Sequence, residues 1–184
     1  WRPTDPKTRS LLFREFGWIA LAGSDCPNLV KVTSVNGDEA APFNLLLEYV
    51  GGESLGRASE QLPARAQLEG VEPWQLAMRW GEDVLRALQR LHAERILHRD
   101  VSPSNIIIAD RGAVLIDLGV AASPERMTAA EDVGTWEFRA PEIDHGGAWT
   151  EQCDLYSLAA VLFHTITGRL HFDREQGDKS RLRT

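Results

Sequence analysis

The sequence predicts an α+β fold in two unequal lobes. Three observations carry this: two pairs of short apolar strands broken by turn residues, one long amphipathic helix between the pairs, and a polar, glycine-containing connector ahead of that helix. The connector divides the chain into residues 1–50, a small first lobe, and residues 51–184, a larger second one.

Along the chain, residues 8–22 read as a short helix, with Leu12, Phe16, Ile19 and Ala20 at helical spacing. "NLVKVTSV" alternates as a half-buried strand does and ends at Asn36-Gly37, a hairpin signal. "FNLLLEYV" is a nearly continuous apolar strand. "GGESLGRASEQLPARAQLEG" is the connector, with one short helix inside it. Residues 73–93 form the clearest helix: Pro73 suits a first turn, and Ala77, Trp80, Val84, Leu88 and Leu91 line one face. Gly81 within it costs about 1 kcal/mol of helix propensity. "NIIIAD" and "AVLID" flank Arg111-Gly112 as a second hairpin. Glycine and proline punctuate residues 119–148, and a last helix spans 151–167, with Thr150 as N-cap and Gly168 as the stop. The tail "HFDREQGDKSRLRT" is polar and is expected to be loose.

Bulk properties narrow the function. With 20 Lys+Arg against 27 Asp+Glu, the net charge of -7 argues against a nucleic-acid binder, which would carry a basic face. No run of about 18 apolar residues is present, so no membrane span is expected. The start "WRPTDPKTRS" lacks the apolar region of a signal peptide and lacks a methionine, so an internal piece of something longer is expected. Cys26 and Cys153 show no paired spacing, which suits a reduced, intracellular, cytoplasmic protein.

The chemistry concentrates in "HRDVSPSN", residues 98–105, and in Asp117, 12 positions after Asn105. A hairpin that short returns its two ends to one point, so Asn105 and Asp117 are expected to meet. A carboxylate and an amide oxygen suit Mg²⁺, a hard cation that prefers oxygen ligands. Asp100 lies nearby as an acceptor for the proton of a hydroxyl nucleophile. That set describes phosphoryl transfer from a nucleotide, where positioning and charge neutralisation dominate.

Taken with "DLG" at 117–119 and "GTWEFRAPE" at 134–142, these segments resemble the eukaryotic protein kinase catalytic core, of Ser/Thr type, in order and spacing as well as in letters. The resemblance covers residues 8–168. It implies ATP and Mg²⁺ as cofactors, a protein substrate with a Ser or Thr hydroxyl as partner, Asp100 as catalytic base, and Asn105 and Asp117 as Mg²⁺ ligands. It further implies Leu47 as gatekeeper, the backbones of Glu48 and Val50 as adenine partners with Ile107 beneath the ring, and Glu15 as partner of a phosphate-binding lysine. His98 and Leu118 would join an apolar column between the lobes. Arg99 would meet a phosphate on the activation segment, where Ser123, Thr128 and Thr135 are candidates. Asp154 resembles the buried aspartate that opens the family's central helix.

Departures matter as much. Ser102 stands where Ser/Thr kinases carry a lysine that steadies the transferred phosphate, and the Asp-x-Ser-Pro-x-Asn variant resembles the fungal-type protein kinases. No GxGxxG segment and no lysine strand of the family pattern occur, and Lys7, after "PTDP", is a poor substitute for that lysine. The arginine that would pair with Glu142 is absent with the later helices. The resemblance therefore implies a kinase domain cut at both ends and weakly active alone. A pseudokinase-type binding module and a small-molecule phosphotransferase stay open as alternatives; "GTWEFRAPE", which resembles a peptide-binding loop, argues against the latter.

Overall fold

The computed structural model describes residues 25–36, 44–123 and 133–171. The helix expected over 8–22 and the polar tail beyond His171 lie outside the described residues.

Strands β1 (Val32–Asn36) and β2 (Asn44–Leu47) pair antiparallel, with Asn36 opposite Asn44 and a register shift between Val32 and Ser34. After Glu48 the chain passes Gly52, where a side chain would collide with the Ile108 carbonyl oxygen. It then forms β3 (Glu53–Ser54), which joins β4 (Ile106–Ala109) and β5 (Gly112–Leu115) in a second antiparallel sheet, order β3-β4-β5. The predicted second hairpin is thus present, and it gains a strand from the connector.

The connector also holds two helices where one was expected. Helix α1 (Leu55–Glu60) is capped by Ser54, whose side chain accepts from the Arg57 N–H, and buries Leu55 and Ala58. Helix α2 (Leu62–Glu69) has a proline as its second residue and is followed by Gly70 in the left-handed conformation. Pro63 falls in the first turn, where its missing N–H is no loss.

Helix α3 spans Pro73–Ala93, as predicted, and Glu72 and Gln75 cap it reciprocally. Its buried stripe, from Leu76 and Ala77 through Trp80, Val84 and Leu88 to Leu91, is the centre of the core. Each fully buried leucine there is worth about 1.5–3 kcal/mol. Gly81 has a reason that propensity does not show: a Cβ would come within 2.7 Å of Leu162 Cδ1. It lets α3 lie close against α5 (Glu151–Thr167). Helix α5 starts at Thr150 and stops at Gly168 (φ 67°), both as expected. A short helix, α4 (Pro141–Asp144), precedes it.

Residues 26–30 do not stay with the first sheet. Leu29 bridges Leu115 in parallel, and Cys26, Leu29 and Val30 are buried in the main core. The Val30 N–H donates to the Leu115 carbonyl at 2.9 Å, and the Leu115 N–H donates to the Asn28 carbonyl at 2.8 Å. The packed core therefore runs continuously from residues 26–30 into elements beyond residue 50. Both cysteines are free and buried. Among the described residues no helix is long and apolar enough to cross a membrane.

Candidate active site

The loop that follows α3 is built on one buried carboxylate. Asp154, in the first turn of α5, is 1% exposed. Its Oδ2 accepts from the His98 backbone N–H at 2.9 Å and its Oδ1 from the Arg99 N–H at 2.8 Å. His92 Nε2, from the last turn of α3, meets Oδ2 at 2.8 Å. A carboxylate bonded this way replaces the hydration it loses on burial and fixes the loop's backbone at two successive residues. That grip supports an unusual conformation: Arg99 (φ 69°) is left-handed without being glycine, at a cost of order 1–3 kcal/mol. The far side of the loop is held as Leu97 and Ala122 exchange backbone bonds at 3.0 and 3.1 Å. His98, fully buried, places Nε2 at 3.0 Å from the Ile116 carbonyl, and Leu118 is buried in the main core. Beneath the loop, Leu97, Ala140, Trp149 and Cys153 form a second apolar cluster.

Asp100 emerges half-buried from this frame. Its Oδ1 accepts from both the N–H (2.7 Å) and the hydroxyl (2.6 Å) of Thr135. Its Oδ2 accepts from Asn105 Nδ2 at 2.7 Å, and the same amide nitrogen donates to the Asp100 carbonyl at 3.0 Å. Both amide protons of Asn105 are thereby spent on Asp100, and the amide oxygen is left as an acceptor or ligand. Close approach of Thr135 depends on Gly134 (φ 90°), where a side chain would collide with the Arg99 carbonyl oxygen.

The backbone sets Asn105 beside Ile116, the residue before Asp117. The Ile116 N–H donates to the Asn105 carbonyl at 2.8 Å, directly beyond the β4–β5 pairing of Ile106 with Leu115. Asp117 then turns into the left-handed region (φ 62°), exposed, with its Oδ1 accepting from the Gly119 N–H at 3.1 Å. One exposed carboxylate and one uncommitted amide oxygen are hard oxygen donors, and they fit a partly hydrated Mg²⁺.

Other expected positions are placed with less consequence. Ser102 is fully buried, its hydroxyl 2.9 Å from that of Ser104. Arg99 is also buried, with its guanidinium 5.3 Å from the centre of the Trp149 ring. Residues 124–132, which include Thr128, lie outside the described residues, as do Glu15 and Lys7. Glu142 is exposed; the Cys153 thiol lies 3.5 Å from its Oε1. Burial pushes that thiol's pKa up, the Glu142 charge and hydrogen bond add to the rise, and bonds from Thr150 only partly oppose it. Leu47 ends β2, Val50 packs on the core, and Ile107 pairs with Ser54 and Val114. Glu48 accepts two bonds from Arg111, at 2.6 and 3.2 Å, and one from the Lys31 N–H at 3.1 Å. Burial alone would raise the Glu48 carboxyl; the bonds and charges of Arg111 and Lys31 outweigh it and hold the carboxyl below its ordinary range. The sequence assigns no role to His92 or Asp83, marks Arg111 only as a turn residue, and holds Gly134 only as the first residue of the "GTWEFRAPE" segment.

The protein kinase domain family model matches residues 3–184. The serine/threonine-protein kinase PrkC of Bacillus subtilis is 32% identical over 155 residues, covering 82% of this chain and 23% of that protein. The serine/threonine-protein kinase PksC of Streptomyces coelicolor is 32% identical over 158 residues, with 80% and 28% covered. The MAP kinase kinase MKK1/SSP32 of Saccharomyces cerevisiae is 29% identical over 175 residues, with 94% and 34% covered. The chain thus spans about a quarter to a third of the length of these relatives. An α+β core, a carboxylate-anchored HRD loop and a match along nearly the whole chain agree: the chain belongs to the protein kinase domain family.

Proposed function

We propose that this chain carries the catalytic loop and hinge of an ATP-dependent protein kinase that phosphorylates Ser or Thr hydroxyls of proteins. The single observation that supports it most is the Asp100 carboxylate, oriented at both oxygens by Thr135 and Asn105. Oδ1 already accepts two bonds, so Oδ2, which accepts one, keeps a lone pair for an incoming hydroxyl proton. Asn105 and Asp117 are the residues that would hold Mg²⁺. Mg-ATP would supply the phosphoryl group and the charge neutralisation of its transfer. The backbones of Glu48 and Val50 would meet adenine, with Leu47 at the rear and Ile107 below. Residues 1–50 and 51–184 are the two lobes in this reading. Similarity to PrkC and MKK1/SSP32 supports the choice of a protein hydroxyl as acceptor.

A pseudokinase is the second reading. Ser102 favours it: a buried hydroxyl stands where the family's lysine would bring a positive charge to the transferred phosphate.

The test is transfer of labelled γ-phosphate from ATP to a protein acceptor by the intact protein, followed by phosphoamino-acid analysis. Mg²⁺-dependent label on serine or threonine is expected. Asp117→Asn should weaken Mg-nucleotide binding by roughly 10-fold or more, the scale of one charge-assisted contact. Nucleotide binding without any transfer would favour the pseudokinase reading.

A further inference from the structure

The turn between β4 and β5, Asp110-Arg111-Gly112, is tied to three separate parts of the molecule. From α3, Asp83 Oδ2 accepts the Ala113 N–H at 2.9 Å, while Arg86 steadies Oδ1 at 2.7 Å. Gly112 (φ 105°) has no room for a side chain because the Asp83 carboxylate fills the space. From the segment before β1, Asn28 Nδ2 donates to the Ala113 carbonyl at 2.9 Å. From the hinge, Glu48 takes both terminal nitrogens of Arg111, one on each carboxylate oxygen. Glu48 is itself locked to β1's approach: its N–H donates to the Lys31 carbonyl at 2.9 Å, and its Oε1 accepts from the Lys31 N–H at 3.1 Å.

Among the described residues the two sheets share no strand. The Arg111–Glu48 fork therefore bridges them at the hinge end, 63 positions apart in sequence. A two-pronged guanidinium–carboxylate contact fixes orientation as well as distance, which a single lysine contact does not. The side chains are 37% and 19% exposed, so water screens part of the attraction and its value lies in geometry more than in stability.

We infer that Arg111 is a positioning residue for nucleotide binding. Through Glu48 it sets the height of the hinge backbone over Ile107, and so the width of the slot that takes the adenine ring. Arg111 itself touches no nucleotide. The inference rests on the kinase reading above, and it adds a residue that the reading does not use.

The test compares wild type, Arg111→Ala, Arg111→Lys, Glu48→Gln and the Glu48→Gln/Arg111→Ala double variant in the intact protein. The probes are Mg-ATP and adenosine, which has no phosphate. Arg111→Ala should raise the Kd of both about 3- to 10-fold, the range for residues that act through a neighbour. KM for ATP should rise with it, while kcat at saturating ATP falls by less than that factor. Arg111→Lys should fall between wild type and Arg111→Ala. The double variant should be no worse than either single variant, since both remove one contact. Unchanged adenosine affinity in Arg111→Ala would overturn the inference. So would additive losses in the double variant, or equal losses in ATP affinity, acceptor affinity and kcat, which mark a general loosening. Wild-type protein that binds neither probe would instead overturn the kinase reading, and this inference with it.

Discussion

The loop at 98–105 and the segment at 47–52 are secured in opposite ways. The loop at 98–105 hangs on Asp154, a buried carboxylate with three donors, and is floored by apolar side chains. The segment at 47–52 is held by a partly exposed fork to Arg111 and by a glycine that lets it pass close to β4. In the proposed kinase reading the difference follows from what each would do. A proton acceptor needs a fixed direction, which a carboxylate-anchored backbone supplies. A segment that joins two lobes must permit small changes of angle, and a solvent-screened contact costs little to stretch.

Breaking the buried anchor is the largest effect expected. Asp154→Ala strands the His98 and Arg99 N–H groups and His92 Nε2 without an acceptor. The loss should be about 3–5 kcal/mol of unfolding free energy, read from denaturant titration, with transfer activity lost as well. Asp154→Asn, which keeps one acceptor oxygen, should cost less. Equal stability of Asp154→Ala and wild type would mean the loop is held by packing alone.

The exposed fork should yield a smaller effect, with a defined pH sign. The Glu48 carboxyl is held below its ordinary 4.5 in the folded protein. A lowered folded-state value contributes stability that is fully present above the unfolded value and is lost as pH falls through the folded one. Wild type should therefore lose an increment of stability below about pH 4.5 that Glu48→Gln does not lose. Parallel pH–stability curves for the two proteins would show that the fork does not act in the folded state.

Much of this contrast can be read from the chain, and the unread part has a physical cause. The 73–93 helix announces itself because its apolar residues recur at one period and Pro73 marks its start. Helix 151–167 is bounded by Thr150 and Gly168, and the Arg111-Gly112 turn sets the second hairpin. The connector hid a second helix and a strand because Gly52, Gly56 and Pro63 look like breakers in isolation. In place, Pro63 opens a helix and Gly52 allows a close crossing. Gly81 reads as a weakness until Leu162 is beside it. In the site, the placing of Asn105 beside Ile116 was legible because a short hairpin forces its ends together. The Arg111–Glu48 and Asp83–Ala113 contacts were not, since no local pattern joins residues 63 and 30 positions apart.

The central claim is that Asp100, aimed by Thr135 and Asn105, takes a proton from a protein hydroxyl. Single-turnover phosphoryl transfer by Asp100→Asn, with Mg-ATP binding measured on the same preparation, tests it most directly. Transfer should fall by roughly 10²–10⁴, the scale for removing a general base, with nucleotide affinity almost unchanged. Transfer near the wild-type rate would contradict the claim.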